Sequence, residues 1–503
     1  MAQLGRQILS SVRSTQSIQL PSQNVWQLPE KILQFGTGVL LRGLPDYYIN
    51  KANNKGIFNG RVVVVKSTSG GNNNDAFELQ NNLYTQCSKG IEENEAKEAY
   101  IINAAISRVI NATDNWQTVL ACAYNSLLQI IISNTTEVGI ALQENDDINA
   151  SPPQSFPGKL LSFLYERYKV FAEKENSGMV IIPTELLVDN GTKLKAIVLE
   201  LARLNNLPQL FITWLEEAND WCNSLVDRIV PGALSEMDKN KLQTTFGFTD
   251  KLAIMSEPYN LWAIETESER VKQVLSFSAV DNNVIITTNI QKYRELKLRL
   301  LNATHTFGCA FAFLNGFDLV SEAMQNERFF KFMRELMFAE IIPCIVGNSI
   351  LKEEAEAFAN HVINRFQNPF IQHQWLSISV QYTNKMKQRC IPLIVQNYRS
   401  KQTSQTCAAL GFAAYLLFMK PVVVKGDSYY GKRNNEEYLI QDKDAKVFYL
   451  LWQNDNVDEV VWQALADKDL WGEDLTLLPN FKGEVIIHLK QLLSGVALDK
   501  LVH

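Results

Sequence analysis

The sequence predicts an α/β domain over residues 1–290 and a mainly α-helical domain over 291–503. Three observations carry this. In the first half, β-branched apolar runs alternate with helix-compatible stretches. The first of those runs feeds straight into a glycine turn. From about Lys292 onward, apolar residues fall instead at helical spacing. A length of 503 residues with 46% hydrophobic and 20% charged side chains suits two or more globular domains and excludes a disordered or collagenous chain.

Taken in order, the first 28 residues read as an N-terminal surface extension, with Arg6 and Arg13 but no acid. Residues 31–35 (Lys-Ile-Leu-Gln-Phe) are the first strand, and Gly36-Thr37-Gly38 follows at once. Residues 39–52 are helix-compatible. The run 61–66 (Arg-Val-Val-Val-Val-Lys) then reads as a fully buried strand, completing a βαβ outline. Residues 130–132 and 179–183 continue the alternation, and the stretches 70–74 and 151–158 are loops by composition. In the second half, Phe329, Phe332, Met333, Leu336 and Met337 mark one amphipathic helix, and residues 353–366 another. The apolar run 407–419 is too short to span a bilayer and reads as a buried helix.

Composition narrows the function. A net charge of −6 advertises no basic face for nucleic acid. Seven cysteines without a C-x-x-C pair argue against a disulfide framework or a zinc site, and point to a reduced, cytoplasmic protein. The expected partner is a small molecule, with no metal.

Gly36-Thr37-Gly38 is half of a dinucleotide fingerprint, since the third glycine position holds Leu41. It serves equally as a strand-to-helix turn that needs positive φ. Arg42 adds a cation able to pair with phosphate. Asp227-Arg228, a polar pair within an apolar stretch, is either an internal ion pair or a cofactor contact. On an α-helix, Lys297, His305 and Asn302 would fall at about 0°, 80° and 140°, on one side. A lysine beside an amide and an imidazole is suited to proton transfer at a carbonyl or alkoxide oxygen.

Five ordered motifs carry a resemblance: residues 34–42 (Gln-Phe-Gly-Thr-Gly-Val-Leu-Leu-Arg), 133–137 (Ser-Asn-Thr-Thr-Glu), 226–229 (Val-Asp-Arg-Ile), 256–258 (Ser-Glu-Pro) with Trp262, and Lys297, Asn302 and His305. Over roughly residues 28–490 the chain resembles the long-chain, metal-independent mannitol dehydrogenase family. Within that family it is most similar to the sugar-acid reductases of the tagaturonate type. The resemblance implies a Rossmann-like NAD-binding domain followed by a helical substrate domain. It implies NAD held by Gly36, Gly38, Arg42, Asn134, Glu137 and Asp227. It also implies reduction of a keto-hexuronate, D-tagaturonate, to D-altronate. Lys297 would be the general acid/base, Asn302 the group that polarises the reacting oxygen, and His305 a substrate-binding residue.

The substrate carboxylate needs a cation. Lys385 and Arg389 are candidates, and a solvated basic helix face is the alternative reading of both. Two departures stand out. Polyol-oxidising relatives carry an Asp-Asn pair where this chain has Glu185-Leu186, so a second oxyanion amide is missing. No acid follows the second strand, where Lys66-Ser67-Thr68 stands, although a carboxylate there would favour NAD over NADP. Fructuronate and neutral polyols are alternative substrates, and a non-catalytic NAD-binding sensor is an alternative role.

Overall fold

Five short apolar strands and one two-residue strand build the first sheet. They are β1 (Glu30–Phe35), β2 (Arg61–Lys66), β3 (Ile106–Asn111), β4 (Ile130–Ser133), β5 (Val180–Pro183) and β6 (Asp220–Trp221). All pair in parallel, in the order β6-β5-β4-β1-β2-β3. This is the strand order of the doubly wound dinucleotide-binding fold, with its topological switch point between β1 and β4. The computed structural model describes residues 2–12, 18–67, 74–92, 95–172, 174, 177–347, 349–400, 406–496 and 501–502. Residues 70–73 of the expected loop lie outside these. The chain divides into one unit of residues 1–89 and 96–290, and another of residues 90–95 and 291–503.

In the first unit the period-2 alternation of each strand feeds two cores. Leu33, Phe35, Val63, Val65, Ile131 and Ile181 face one side. Ile32, Val62, Val64, Ile130, Ile132, Val180 and Ile182 face the other, where Leu44, Tyr48, Ile49 and Ala52 cover them. Every residue of β2 is buried, as expected of a strand with helices on both faces. The single helix expected over residues 39–52 is two, α1 (Val39–Gly43) and α2 (Pro45–Asn54). Pro45 explains the break, because proline pushes the preceding residue out of the α region, and Leu44 sits at φ −128°, ψ −74°. The loop expected over 151–158 ends earlier, at Ser155. The Ser155 hydroxyl accepts the Gly158 N–H at 2.9 Å and starts helix α3 (Phe156–Phe171).

The N-terminal residues are more than a surface extension. Ala2–Gln3 and Ile18–Gln19 pair with residues 248–249 and 100–101, and Leu4, Val12, Ile18 and Val25 are buried. These isolated apolar residues among Ser and Gln carry no periodic signal, which is why the sequence does not announce them.

The second unit is mostly helical, with one three-stranded antiparallel sheet over Val423–Lys425, Ser428–Arg433 and Glu436–Leu439. The helix at Thr406–Phe418 is buried along nearly its whole length. Three stretches depart from α geometry into π-helix: Lys297–Ala303, Leu336–Ile341 and Met386–Cys390. Single π turns inside α-helices are rare and often occur at functional sites. Among the described residues no helix is long and apolar enough to cross a membrane.

Candidate active site

In the first unit Gly36, Gly38 and Asn134, three of the expected cofactor residues, follow the carboxyl ends of β1 and β4. The Gly36 N–H donates to the Val65 carbonyl at 2.9 Å, and the Asn134 N–H to that of Phe35 at 3.1 Å. Gly36 adopts φ +124°, and a Cβ there would stand 3.0 Å from the Asn134 carbonyl oxygen. A glycine is therefore required on both conformational and steric grounds. Gly38 is different. Its backbone is extended, at φ −59° and ψ 153°, and nothing lies within 4 Å of where its Cβ would be. The turn thus presents open backbone at the switch point, where ligands of such sheets bind.

The loop after β4 is held from β5. The Asn134 side-chain NH2 donates to the Thr184 carbonyl and hydroxyl, both at 3.0 Å. Glu185 is buried. It accepts the Thr135 N–H at 2.8 Å and the hydroxyls of Thr135 and Ser133 at 3.0 and 3.2 Å. Burial raises its pKa, and those hydrogen bonds oppose the rise. This clamp holds Thr136 at φ +78°, a backbone position that non-glycine residues seldom adopt. Leu186, in contrast, is exposed. The Glu137 side chain lies outside the described residues.

Arg42 does not reach the open side of the turn. It is buried, donates to the Leu252 carbonyl at 2.6 Å, and lies over the rings of Phe77 and Tyr84. Asp227 is buried at the end of the strand Asn223–Asp227. Its neighbour Arg228 donates to the carbonyls of Gly43 at 2.7 Å and Glu257 at 3.0 and 2.9 Å. Arg228 therefore braces backbone.

In the second unit the π segment changes the geometry read from the sequence. Lys297 and Asn302 are one i→i+5 step apart. In an α-helix that step separates them by about 140°, whereas a π turn, paired i→i+5 and so wound more widely, brings them nearer to one side. Both are partly buried, and the Asn302 side-chain amide makes no hydrogen bond among the described residues. The Thr306 hydroxyl donates to the Asn302 carbonyl at 2.7 Å, and Arg389 Nη1 donates to that hydroxyl at 3.3 Å. Arg299, within the same π segment, donates to the carbonyls of Gln388 and Arg389 at 3.1 and 2.9 Å. Two π segments are thereby pinned together, and they bring Arg389 to the Asn302 helix.

His305 is buried, stacked on Phe366 at a centroid distance of 3.9 Å, with His373 and Trp375 edge-on at 5.1 and 6.0 Å. Its Nε2 has no hydrogen-bond partner among the described residues. Burial, and then the fields of His373, Arg365, Arg389 and Lys385, hold its pKa well below the usual imidazole range. His305 is therefore held as a neutral imidazole, packed among aromatic rings within the field of three cationic side chains. Lys385 donates to the Ile378 carbonyl at 2.8 Å, and its pKa is lowered by burial and by Arg389. Sequence reasoning missed Arg365 and His373. No motif marks them, and a lone Arg and a lone His carry no pattern in one dimension. Among the described residues no group of three or more His, Cys, Asp or Glu could hold a metal ion, and all seven cysteines are buried and unbridged.

The sequence matches the Mannitol dehydrogenase Rossmann domain over residues 30–276 and the Mannitol dehydrogenase C-terminal domain over residues 289–493. The chain belongs to the mannitol dehydrogenase family. Among curated members it is 38% identical over 458 residues to the altronate oxidoreductase of Halalkalibacterium halodurans, covering 90% of this chain and 88% of that one. It is 35% identical over 472 residues to the Bacillus subtilis altronate oxidoreductase, covering 93% of each. Solved structures of this family fold share less sequence. Pseudomonas fluorescens mannitol 2-dehydrogenase, in a ternary complex with NAD and D-mannitol, superposes with a TM-score of 0.70 at 21% identity, over 99% of this chain and 98% of that one. A substrate-free D-sorbitol dehydrogenase gives 0.79 at 20% identity, over 99% and 100%.

Proposed function

We propose that this mannitol dehydrogenase family member is an oxidoreductase of the altronate oxidoreductase type, reducing the keto-hexuronate D-tagaturonate to D-altronate with a nicotinamide dinucleotide, NAD rather than NADP. The observation that carries the substrate reading is the setting of His305. A neutral imidazole with an unpaired Nε2 lies within the field of Lys385, Arg389 and Arg365. A neutral imidazole can hydrogen-bond sugar hydroxyls, and a carboxylate pairs with cations, so a sugar acid fits both. Altronate oxidoreductases at 35–38% identity over nine tenths of the chain support the same reading.

The glycine turn fits a dinucleotide. Gly36 lets the backbone close against Asn134, and the space over Gly38 is open. Gly36, Gly38 and the Asn134 loop would hold the cofactor, while Arg42 and Arg228 brace the backbone beneath it. The Pseudomonas fluorescens mannitol 2-dehydrogenase complex with NAD supports the choice of NAD. When bound, the cofactor supplies the reducing equivalents.

The rest of the reaction falls to side chains. Reduction of a ketone develops negative charge on its oxygen, and Lys297 Nζ, as an ammonium, gives that oxygen its proton. The Asn302 NH2, brought nearer to the side of Lys297 by the π turn and without a hydrogen bond among the described residues, steadies the developing charge. His305 orients the substrate hydroxyls without carrying charge. Arg389 and Lys385 take the carboxylate. The chemistry needs no metal, since the proton source is a lysine. The test is D-altronate oxidation with NAD+ in the presence of excess EDTA. Sustained turnover is expected. Activity lost to the chelator and restored by zinc would overturn the metal-independent mechanism.

A further inference from the structure

Three buried polar groups beneath the glycine turn are short of partners. Asp46, in the first turn of α2, is fully buried, yet its Oδ1 meets no donor among the described residues. Gln34 Oε1, on β1, and Arg42 Nε are likewise buried and unmatched. Such groups cost stability and call for a functional reason.

The Gln34 amide supplies one. Its Nε2 lies 3.5 Å from Asp46 Oδ2 and 3.5 Å from the Gly36 carbonyl oxygen, at the outer limit of hydrogen bonding. One amide thus spans the Asp46 carboxyl and the first peptide of the turn. A trans peptide points its C=O and N–H in opposite directions. With the Gly36 oxygen drawn inward to Gln34, the Thr37 N–H points away from the core. Asp46 is itself fixed, since Asn103 Nδ2 donates to its carbonyl at 3.0 Å.

We infer that Asp46 is a positioning residue for dinucleotide binding, acting through Gln34 to hold the Gly36–Thr37 peptide with its N–H turned outward to an anionic ligand. The inference rests on the dinucleotide reading above and adds a proton to it. Burial pushes the Asp46 carboxyl up to about 7, against the Gln34 hydrogen bond and the charge of Arg42. The other titratable group facing it is Tyr84, and Asp250 acts in turn on Arg42 and Tyr84. A protonated Asp46 has a hydrogen to donate, and Gln34 Oε1 is an acceptor in want of one. An ionised Asp46 leaves that acceptor unmatched and sets a negative charge beneath a bound pyrophosphate. Affinity for the dinucleotide should therefore fall as pH rises through about 7, and binding above that pH should draw a proton onto Asp46.

NADH binding is measured by fluorescence titration at pH 6 and pH 8, and proton uptake by calorimetry at pH 8 in buffers of different ionisation enthalpy. For the unmodified protein the Kd should rise about fivefold between the two pH values, with net proton uptake. Asp46→Asn keeps the shape and removes the proton, so its Kd should vary less than twofold over the same range. Gln34→Leu should weaken binding at both pH values. Unmodified protein that binds NADH with no proton uptake overturns the inference even if neither variant folds. So does an Asp46→Asn protein that keeps the full pH dependence, or a Gln34→Leu protein with unchanged Kd. Absence of any NADH binding would instead refute the dinucleotide reading itself.

Discussion

The two glycines of the turn should respond to alanine in opposite ways, because the structure gives them different jobs. Gly36 sits at φ +124°, where an L-residue is strained, and its Cβ would stand 3.0 Å from the Asn134 carbonyl oxygen and 2.9 Å from Leu41 Cδ1. The backbone strain costs about 1–3 kcal/mol, and forcing atoms into packed surroundings adds a similar amount, so Gly36→Ala should destabilise the fold by about 2–6 kcal/mol. Gly38 sits at φ −59° with no atom within 4 Å of its Cβ position. Alanine fits there without strain and restricts the unfolded chain, so Gly38→Ala should leave stability unchanged or raise it by up to about 1 kcal/mol. The methyl group would, however, occupy the space over the turn. Gly38→Ala should therefore weaken NADH binding by about tenfold or more in a fully folded protein. Urea denaturation and fluorescence titration of NADH read the two effects separately. Equal destabilisation by both substitutions, or a Gly38→Ala protein with unaltered NADH affinity, would refute the reasoning.

Lys297→Ala should lower kcat by about 10²-fold or more and leave the NADH Kd within about twofold, as steady-state kinetics and titration would show. Near-normal kcat in the folded variant would remove Lys297 from the mechanism. Arg389→Ala should raise KM for the sugar acid by about tenfold and barely affect KM for fructose, because only the former carries the carboxylate. An equal effect on both would assign Arg389 to bracing Thr306 instead. The depressed pKa of His305 means that the folded protein resists protonating it while the unfolded chain does not. Its contribution is intact above the usual imidazole range, and stability is lost as pH falls below about 6.5. Substituting His305→Asn should flatten that part of the acid limb in thermal melts, and an unchanged limb would contradict the neutral assignment.

β1, β2, β4 and β5 were legible as short apolar runs, and β2 reads as buried on both faces from its four consecutive valines, whereas β3, with Ser107 and Arg108 interrupting its apolar residues, was not. The strand order, and with it the meeting of Gly36 with the Asn134 loop, is a long-range property that periodicity cannot encode. β6 has two residues and leaves no pattern. At the candidate site, Lys297, Asn302 and His305 could be named from the sequence, but their alignment could not be derived correctly. The wheel assumes 100° per residue, and the π segment breaks that assumption. Arg42 read as a phosphate-pairing cation because its position follows the turn, yet its side chain is buried against Phe77 and Tyr84 and donates to the Leu252 carbonyl. Asp46 gave no signal at all. A single acid after a proline looks like an ordinary helix start, and only its burial beside Gln34 marks it.

Whether the cationic setting of His305 selects a keto-hexuronate is tested most directly by NADH oxidation by the purified protein with D-tagaturonate, D-fructuronate and D-fructose in parallel. A site that supplies Lys385 and Arg389 to a carboxylate should give a kcat/KM for tagaturonate at least about 10²-fold above that for fructose, with fructuronate between them. Equal kcat/KM for tagaturonate and fructose, or a preference for the neutral ketose, would contradict that selection.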